Sequence, residues 1–342
     1  MSTLLEIEGL SKTFPVVSDG RRHVHRAVNG VDLTLDEGET LGIVGESGCG
    51  KSTLARMVLR LTEPTAGRIR FAGVDITHAG EMALRPFRAR AQIVFQDPYS
   101  ALNPRLRVRD IIAEPLHNLG WEKVRIDARV AEVLRVVGLS PSYADRYPHA
   151  FSGGQRQRIG IARALATNPK LIVADEAVSA LDVSVQAQIL NLLLDIQREY
   201  GLAMLFISHN FAVIRHVSHR VAVMYLGEIV EMATEADLFA RPQHPYTVAL
   251  MSAVPEPDLA DAEEEVVLEG ELPSPLDPPG GCVFHTRCPI AQAHCQTSKP
   301  ALAQVGEGHS VRCHHPGEFV RARTGGLKVR PETAQSTQVP AL

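Results

Sequence analysis

Thr40-Leu41-Gly42-Ile43-Val44-Gly45-Glu46-Ser47-Gly48-Cys49-Gly50-Lys51-Ser52-Thr53 is the stretch on which the fold turns. A short apolar strand, Thr40 to Val44, runs into a loop with glycine at 45, 48 and 50. Ser52 to Leu61 then reads as a helix that ends near Glu63-Pro64. A glycine loop between a strand and a helix turns successive backbone N–H groups toward phosphate oxygens, and the helix dipole adds favourable potential. Gly45, Gly48 and Gly50 let the backbone come close. Lys51 is expected to reach the β- and γ-phosphates of a nucleoside triphosphate and Ser52 to hold Mg²⁺, with Glu46, Ser47, Cys49 and Thr53 completing the lining. The competing reading is a chance glycine-rich turn, but strand and helix fall where a phosphate loop requires them. Cys49 reads as a tolerated small residue, not a catalytic thiol.

A second apolar strand, Leu171-Ile172-Val173-Ala174, ends in Asp175-Glu176. Asp175 is placed to bind Mg²⁺ and Glu176 to orient and deprotonate an attacking water. An acidic pair after a strand is weak by itself, since such pairs are common at helix starts. The order of the whole set gives it weight.

The rest of the chain supplies the frame. Leu5, Ile7, Val31, Leu33 and Leu35 alternate with polar neighbours as in strands, around a polar stretch from Ser18 to Arg26 expected as a hairpin or loop. Ile69–Phe71, Ala91–Phe95 and Leu202–Ser208 read as further strands, and Val183–Tyr200 as a helix. Between Asp97 and Asn168 the pattern becomes helical, with candidate helices Val108–Leu119, Val124–Val137 and Gln155–Ala166. Alternating strands and helices around a helical insert predict an α/β fold: a P-loop NTPase core with a parallel or mixed sheet, a helical subdomain, and a small cysteine-bearing C-terminal extension.

Composition narrows the partners. A formal charge of −4 over 342 residues provides no basic field for nucleic acid. No apolar run approaches the ~20 residues of a membrane span. The start, Met-Ser-Thr-Leu-Leu-Glu-Ile-Glu, lacks the pattern of a signal peptide, so the chain is expected in the cytoplasm.

With Phe151-Ser152-Gly153-Gly154-Gln155 added to the loop and the acidic strand, the sequence resembles the ABC-transporter ATPases. The resemblance implies further roles. Phe14 is similar to the aromatic that stacks on adenine, a core phenylalanine being the alternative. Gln96 is similar to the glutamine that contacts Mg²⁺ and the water and senses the membrane partner. Ser152, Gly153, Gly154 and Gln155 resemble the signature that caps the γ-phosphate bound on the opposite subunit. Asp182, in Ser179-Ala180-Leu181-Asp182, matches the D-loop, and His209 matches the switch histidine that contacts the γ-phosphate. Ala177-Val178 stands where many members carry Pro-Thr, a change that leaves Glu176 in place.

Gln96 to Pro104, Gln243-His244-Pro245-Tyr246-Thr247 and the terminal cysteines resemble the oligopeptide/dipeptide (peptide/nickel) importer subgroup. Cys282, Cys288, Cys295 and Cys313 follow a C-x5-C-x6-C-x17-C spacing. The tight C-x2–4-C knuckle of structural zinc is missing, and Cys288-Pro289 is similar to the Cys-Pro of iron–sulfur ligation. The resemblance implies a [4Fe-4S] cluster, with zinc or free thiols as alternatives. Such a site would staple a short extension that has little apolar content of its own.

The importer resemblance implies an ATP-hydrolysing subunit for di- or oligopeptide uptake, peripheral on the cytoplasmic face of the inner membrane. It implies a second ATPase subunit (a paralogue, giving a heterodimer), two transmembrane permease subunits and an extracytoplasmic substrate-binding protein, with no nucleic acid. The rival is a soluble ABC protein of translation or DNA repair, which the single motif set and the missing heptads oppose. The expected divisions are a nucleotide-binding domain at 1–245 (helical subdomain about 97–168), a proline-rich acidic linker at 246–281, the four-cysteine extension at 282–320 and a disordered tail at 321–342. Because the linker separates extension from loop, ATP binding at Lys51 is expected to survive loss of a cysteine ligand.

Overall fold

A computed structural model describes residues 2–18, 20–252, 270–321 and 327–329. Strands β1 (Thr3–Ser18) and β2 (Arg21–Asp36) form one long antiparallel hairpin, so the polar stretch after Ser18 is its tip and lower arm. Strand β3 (Thr40–Val44) leads through the glycine loop to helix α1 (Lys51–Val58). Strands β4 (Ala66–Phe71) and β5 (Val74–Asp75) complete a four-stranded sheet in the order β2-β1-β4-β5. Helix α2 (Glu81–Arg90) then runs directly into β6 (Ala91–Val94).

The helical insert follows: α3 (Pro98–Ala101), α4 (Val108–Asn118), α5 (Lys123–Val136), two short 3₁₀ turns, and α6 (Gly153–Leu165). Helix α6 starts two residues before the expected position because Ser152 caps it. The chain returns to the core through β7 (Leu171–Asp175), α7 (Val183–Tyr200), β8 (Ala203–Ser208), α8 (Phe211–Val217), β9 (Arg220–Tyr225) and β10 (Glu228–Thr234). It closes with α9 (Glu235–Ala240), α10 (Pro245–Ser252), α11 (Ala293–Thr297), β11 (Ala303–Gly306) and β12 (His309–Val311).

The main sheet has eight strands in the order β11-β12-β10-β9-β3-β8-β7-β6. From β9 to β6 the neighbours are parallel, and both faces are covered. The strands show this as period-two sorting of wholly apolar runs. Leu171, Val173, Leu205, Ile207, Ala222 and Met224 pack toward α1 and the antiparallel sheet. Ile172, Ala174, Met204, Phe206, Val221 and Val223 pack toward the helical side.

The C-terminal extension is not a detached appendix. Its strand β12 pairs with β10, Glu231 lying opposite Val311. The Glu231 carboxylate is fully buried at this seam. It accepts from the backbone N–H groups of Gln243 and His244 at 2.6 and 3.0 Å and lies 2.8 Å from His309 Nε2. Three-way satisfaction of this kind makes a buried carboxylate tolerable and ties β10, α10 and β12 together. Residues 253–269 of the acidic linker and most of the tail lie outside the described residues.

Candidate active site

Strands β3, β6, β7 and β8 point their carboxyl ends the same way, the edge at which parallel sheets bind ligands. The glycine loop leaves β3, Gln96 follows β6, Asp175 and Glu176 end β7, and His209 follows β8. The sheet therefore gathers residues that are up to 164 positions apart in sequence, Gly45 to His209.

The loop is packed so tightly that two of its glycines are obligatory. A Cβ on Gly45 would lie 2.1 Å from the Met224 carbonyl oxygen, and one on Gly50 2.1 Å from that of Ala27. Gly48 has open space around it but a φ of +80°, which disfavours any side chain. Lys51 is buried, and its ammonium donates to the carbonyls of Gly45 at 2.7 Å and Glu46 at 2.8 Å. A cation is thus held inside the concavity where phosphate charge would arrive. Burial pushes the Cys49 thiol up against the pull of Lys51, so it is not a poised thiolate, in keeping with its reading as a small lining residue.

Ser52 Oγ donates to Asp175 Oδ1 at 2.9 Å. Burial pushes the Asp175 carboxyl up and the Ser52 hydrogen bond opposes it. A buried carboxylate beside a hydroxyl is an oxygen donor set suited to Mg²⁺. Glu176 sits at a φ of +49°, uncommon for a residue with a side chain, and its N–H donates to the Ile207 carbonyl at 3.0 Å. Its carboxylate is held from both sides: Gln96 Nε2 donates to Oε2 at 2.8 Å, and His209 Nδ1 lies 3.3 Å from Oε1. Gln96, Glu176 and His209 thus meet as one triplet.

The signature residues make a different arrangement. Ser152 and Gln155 form a reciprocal cap at the start of α6, with Gln155 N–H to Ser152 Oγ at 3.3 Å and Ser152 N–H to Gln155 Oε1 at 3.1 Å. The Ser152 hydroxyl accepts in this cap and keeps its own hydrogen to donate elsewhere. A Cβ on Gly154 would lie 2.5 Å from Val185 Cγ1, so glycine there lets α6 approach α7. Asp182 stands at the N-cap of α7 with no side-chain capping bond. Phe14 is on β1, partly exposed, with the Lys12 ammonium 5.1 Å from its ring centre and the His25 ring 6.2 Å away. The structure places neither Phe14 nor the signature in the Gln96–Glu176–His209 triplet.

Three supporting residues escaped the sequence reading. Gln157 is buried and donates to the Ala177 carbonyl at 2.7 Å and the Phe95 carbonyl at 3.3 Å, bracing the segments that carry Glu176 and Gln96. Tyr246 accepts the Glu46 N–H at 3.0 Å, and Arg287 grips the Glu46 carboxylate. Helical spacing in α6 marks Gln157 only as one more polar position. Tyr246 was visible as part of a resemblance, and Arg287 as part of the cysteine segment, but nothing local pointed either toward the loop.

The four terminal cysteines line one cavity together with His244, Phe284, His285, Ile290 and His315. All are free thiols. The Cys282 N–H donates to the Cys295 carbonyl at 2.8 Å, which closes the turn around the cavity. Burial, with neighbouring cysteines adding to it, pushes the Cys288 and Cys313 thiols up to about 12. Ligand atoms of His294, Cys295 and His315 lie within 4.8 Å of one another. That trio, and not the four cysteines together, is the set among the described residues whose donor atoms lie close enough to share one metal ion.

The chain matches known proteins along its whole length. The ABC transporter family profile matches residues 28–179, and that of the oligopeptide/dipeptide transporter C-terminal region matches residues 230–295. A probable peptide ABC transporter ATP-binding protein of Sinorhizobium fredii is 53% identical, over 98% of this chain and 95% of the relative. The oligopeptide transport ATP-binding protein AppF of Bacillus subtilis is 52% identical, over 91% of this chain and 97% of the relative. Among solved structures, a dimeric post-hydrolysis state of the ATP-binding cassette MJ0796 bound to ADP and Pi is similar, with a TM-score of 0.61 at 28% identity, covering 68% of this chain and 99% of that one. The cbiO1 protein of Clostridium perfringens, part of the ABC transporter complex cbiONQ, also has a TM-score of 0.61 at 28% identity, covering 70% and 92%.

Proposed function

The chain belongs to the ABC transporter ATP-binding family and is an ATPase, and from that premise we propose that it drives a binding-protein-dependent importer of di- or oligopeptides. The single observation that carries the catalytic reading is the Glu176 carboxylate, held between Gln96 and His209 beside the Ser52–Asp175 pair. The match of the C-terminal region and the names of the relatives support the peptide class.

In this reading the Gly45–Thr53 loop binds ATP, with Lys51 on the β- and γ-phosphates and Phe14 against adenine. Ser52 and Asp175, with Gln96, hold Mg²⁺, whose charge neutralises the phosphate oxygens. Glu176 takes the proton of the attacking water, and His209 orients the γ-phosphate. Catalysis is positioning and charge neutralisation, as phosphoryl transfer requires. The signature Ser152–Gln155 and Asp182 serve the nucleotide of the opposite subunit, so two subunits enclose two ATP molecules. The partner ATPase is a paralogue, and the pair docks from the cytoplasmic side on two permease subunits fed by an extracytoplasmic binding protein. No helix among the described residues is long and apolar enough to cross a membrane, which fits a peripheral subunit.

The divisions that go with this reading are a nucleotide-binding domain at 1–245, a linker at 246–281, the extension at 282–320 and a tail at 321–342. Cys282, Cys288, Cys295 and Cys313 hold a [4Fe-4S] cluster that staples the extension; stoichiometric zinc in protein purified without oxygen would replace that assignment. Affinity purification from membranes tests the assembly. Two multi-spanning proteins and a second ATPase should copurify; recovery of ribosomes or DNA instead would contradict it.

A further inference from the structure

Residue 46 of the nucleotide loop is held by the far end of the chain. Arg287 Nη1 lies 2.8 Å from Glu46 Oε2 and Nη2 3.1 Å from Oε1, a two-pronged pair across 241 residues of sequence. The Arg287 side chain is 8% exposed and that of Glu46 27%, so water screens the pair little. The Glu46 N–H donates to Tyr246 Oη at 3.0 Å. Tyr246 is itself fully buried, packed edge-on against Tyr225 at 4.7 Å and tilted against Phe284 at 5.4 Å. The carbonyl of Glu46 in turn accepts the Lys51 ammonium at 2.8 Å. A continuous chain of contacts therefore runs from the turn between Cys282 and Cys288, through Arg287 and Glu46, to the phosphate-binding lysine.

Glu46 poses an electrostatic problem. A carboxylate within a loop that receives a polyphosphate opposes the incoming charge unless a cation neutralises it. The Arg287 guanidinium neutralises it, fixes its direction and keeps it turned toward the extension. We propose that Arg287 is a positioning residue for the nucleotide site, which neutralises and anchors Glu46 so that ATP affinity depends on the C-terminal extension. This rests on the reading of Gly45–Thr53 as the phosphate loop. A purely structural staple would use the same ion pair to hold the extension in place without acting on ATP.

The two are separated by equilibrium binding of a fluorescent ATP analogue to the purified full chain, with melting temperature measured alongside. Arg287→Ala leaves Glu46 unpaired beside the phosphates and should raise the Kd about tenfold, a deficit that shrinks as salt is raised. Adding Glu46→Gln removes the exposed charge and should bring the double variant back to within about threefold of wild type. Where Arg287→Ala lowers the melting temperature enough to lose the extension, Arg287→Gln, which removes the charge but keeps a polar side chain with an NH₂ donor, runs the same comparison. A Kd within about twofold of wild type for the Arg287 variant, or a double variant as weak as the single one, overturns the proposal. Lys51→Ala, run in parallel, distinguishes the two levels. If it leaves affinity unchanged, the phosphate-loop reading fails and the proposal falls with it. If it weakens binding while Arg287→Ala does not, only the role of Arg287 fails.

Discussion

The nucleotide loop and the cysteine pocket are both small sites, yet they are made in contrary ways. The loop is contiguous. Its shape comes from glycines at a strand–helix junction, two of them fixed by the Met224 and Ala27 carbonyls. Its ligand-binding groups are largely main chain. The pocket is assembled from separate turns and a strand end, and its donors are side chains that need β12 docked on β10 before they converge. The difference teaches that the loop's form is set locally while the pocket's is not, and that Arg287, in the turn between Cys282 and Cys288, is where the extension touches the loop. Coupling through that ion pair is reciprocal at equilibrium and should show itself in ATP affinity.

Several substitutions would break or sharpen that contrast, and the largest effect belongs to the loop. Lys51→Ala removes the buried cation from the concavity. Turnover should fall roughly 10²–10³-fold and ATP binding should weaken with it, while the extension stays as it was. Near-normal turnover in the assembled transporter would show that the loop is not the nucleotide site.

Next is the division of labour between subunits. Lys51→Ala in this chain, combined with a bulky replacement of the partner's signature serine, places both defects in one composite site and should leave about half the turnover. Lys51→Ala and Ser152→Phe together in this chain should leave almost none, because each site then carries one defect. Equal activity of the two assemblies would refute a signature that acts on the opposite nucleotide.

A smaller effect is expected at the pocket. Cys288→Ser should lower iron content, loosen the segment after Gly281 and weaken ATP binding several-fold through Arg287, with turnover at saturating ATP nearly kept. Unchanged ATP affinity in a variant that has lost its metal would mean the two regions are uncoupled after all. The smallest effect is local. Gln155→Ala removes half of the reciprocal cap on α6 and should cost about 1 kcal/mol of stability, seen as a modest fall in melting temperature.

What could be read from the sequence follows the same contrast. Strands β3, β7 and β8 and helices α1 and α7 were legible within a few residues because their apolar runs are bounded by glycine, proline and acidic punctuation. Asp175 and Glu176 are legible at the end of an apolar strand, whereas Gln96 and His209 are legible only through the family resemblance; all four meet because parallel strand ends converge by topology. The polar tip of the first hairpin reads equally as hairpin or loop, since Val24 is the one apolar side chain between Ser18 and Arg26. The clearest miss concerns the linker. Distance along the chain suggested that the extension was remote from the loop. Burial of Glu231 at the β10–β12 seam and of Tyr246 beneath the loop brings it into contact. No local pattern encodes a pairing across 241 residues such as Glu46 with Arg287.

The central claim is that Glu176, held by Gln96 and His209, serves as the base for ATP hydrolysis in a site that can bind ATP without it. It is tested most directly by measuring ATP affinity and steady-state hydrolysis side by side in the assembled complex carrying Glu176→Gln. The expected result is wild-type affinity, with hydrolysis reduced roughly 10²–10⁴-fold and the subunits held together by ATP. Hydrolysis within a few-fold of wild type would contradict the claim and remove Glu176 from the mechanism.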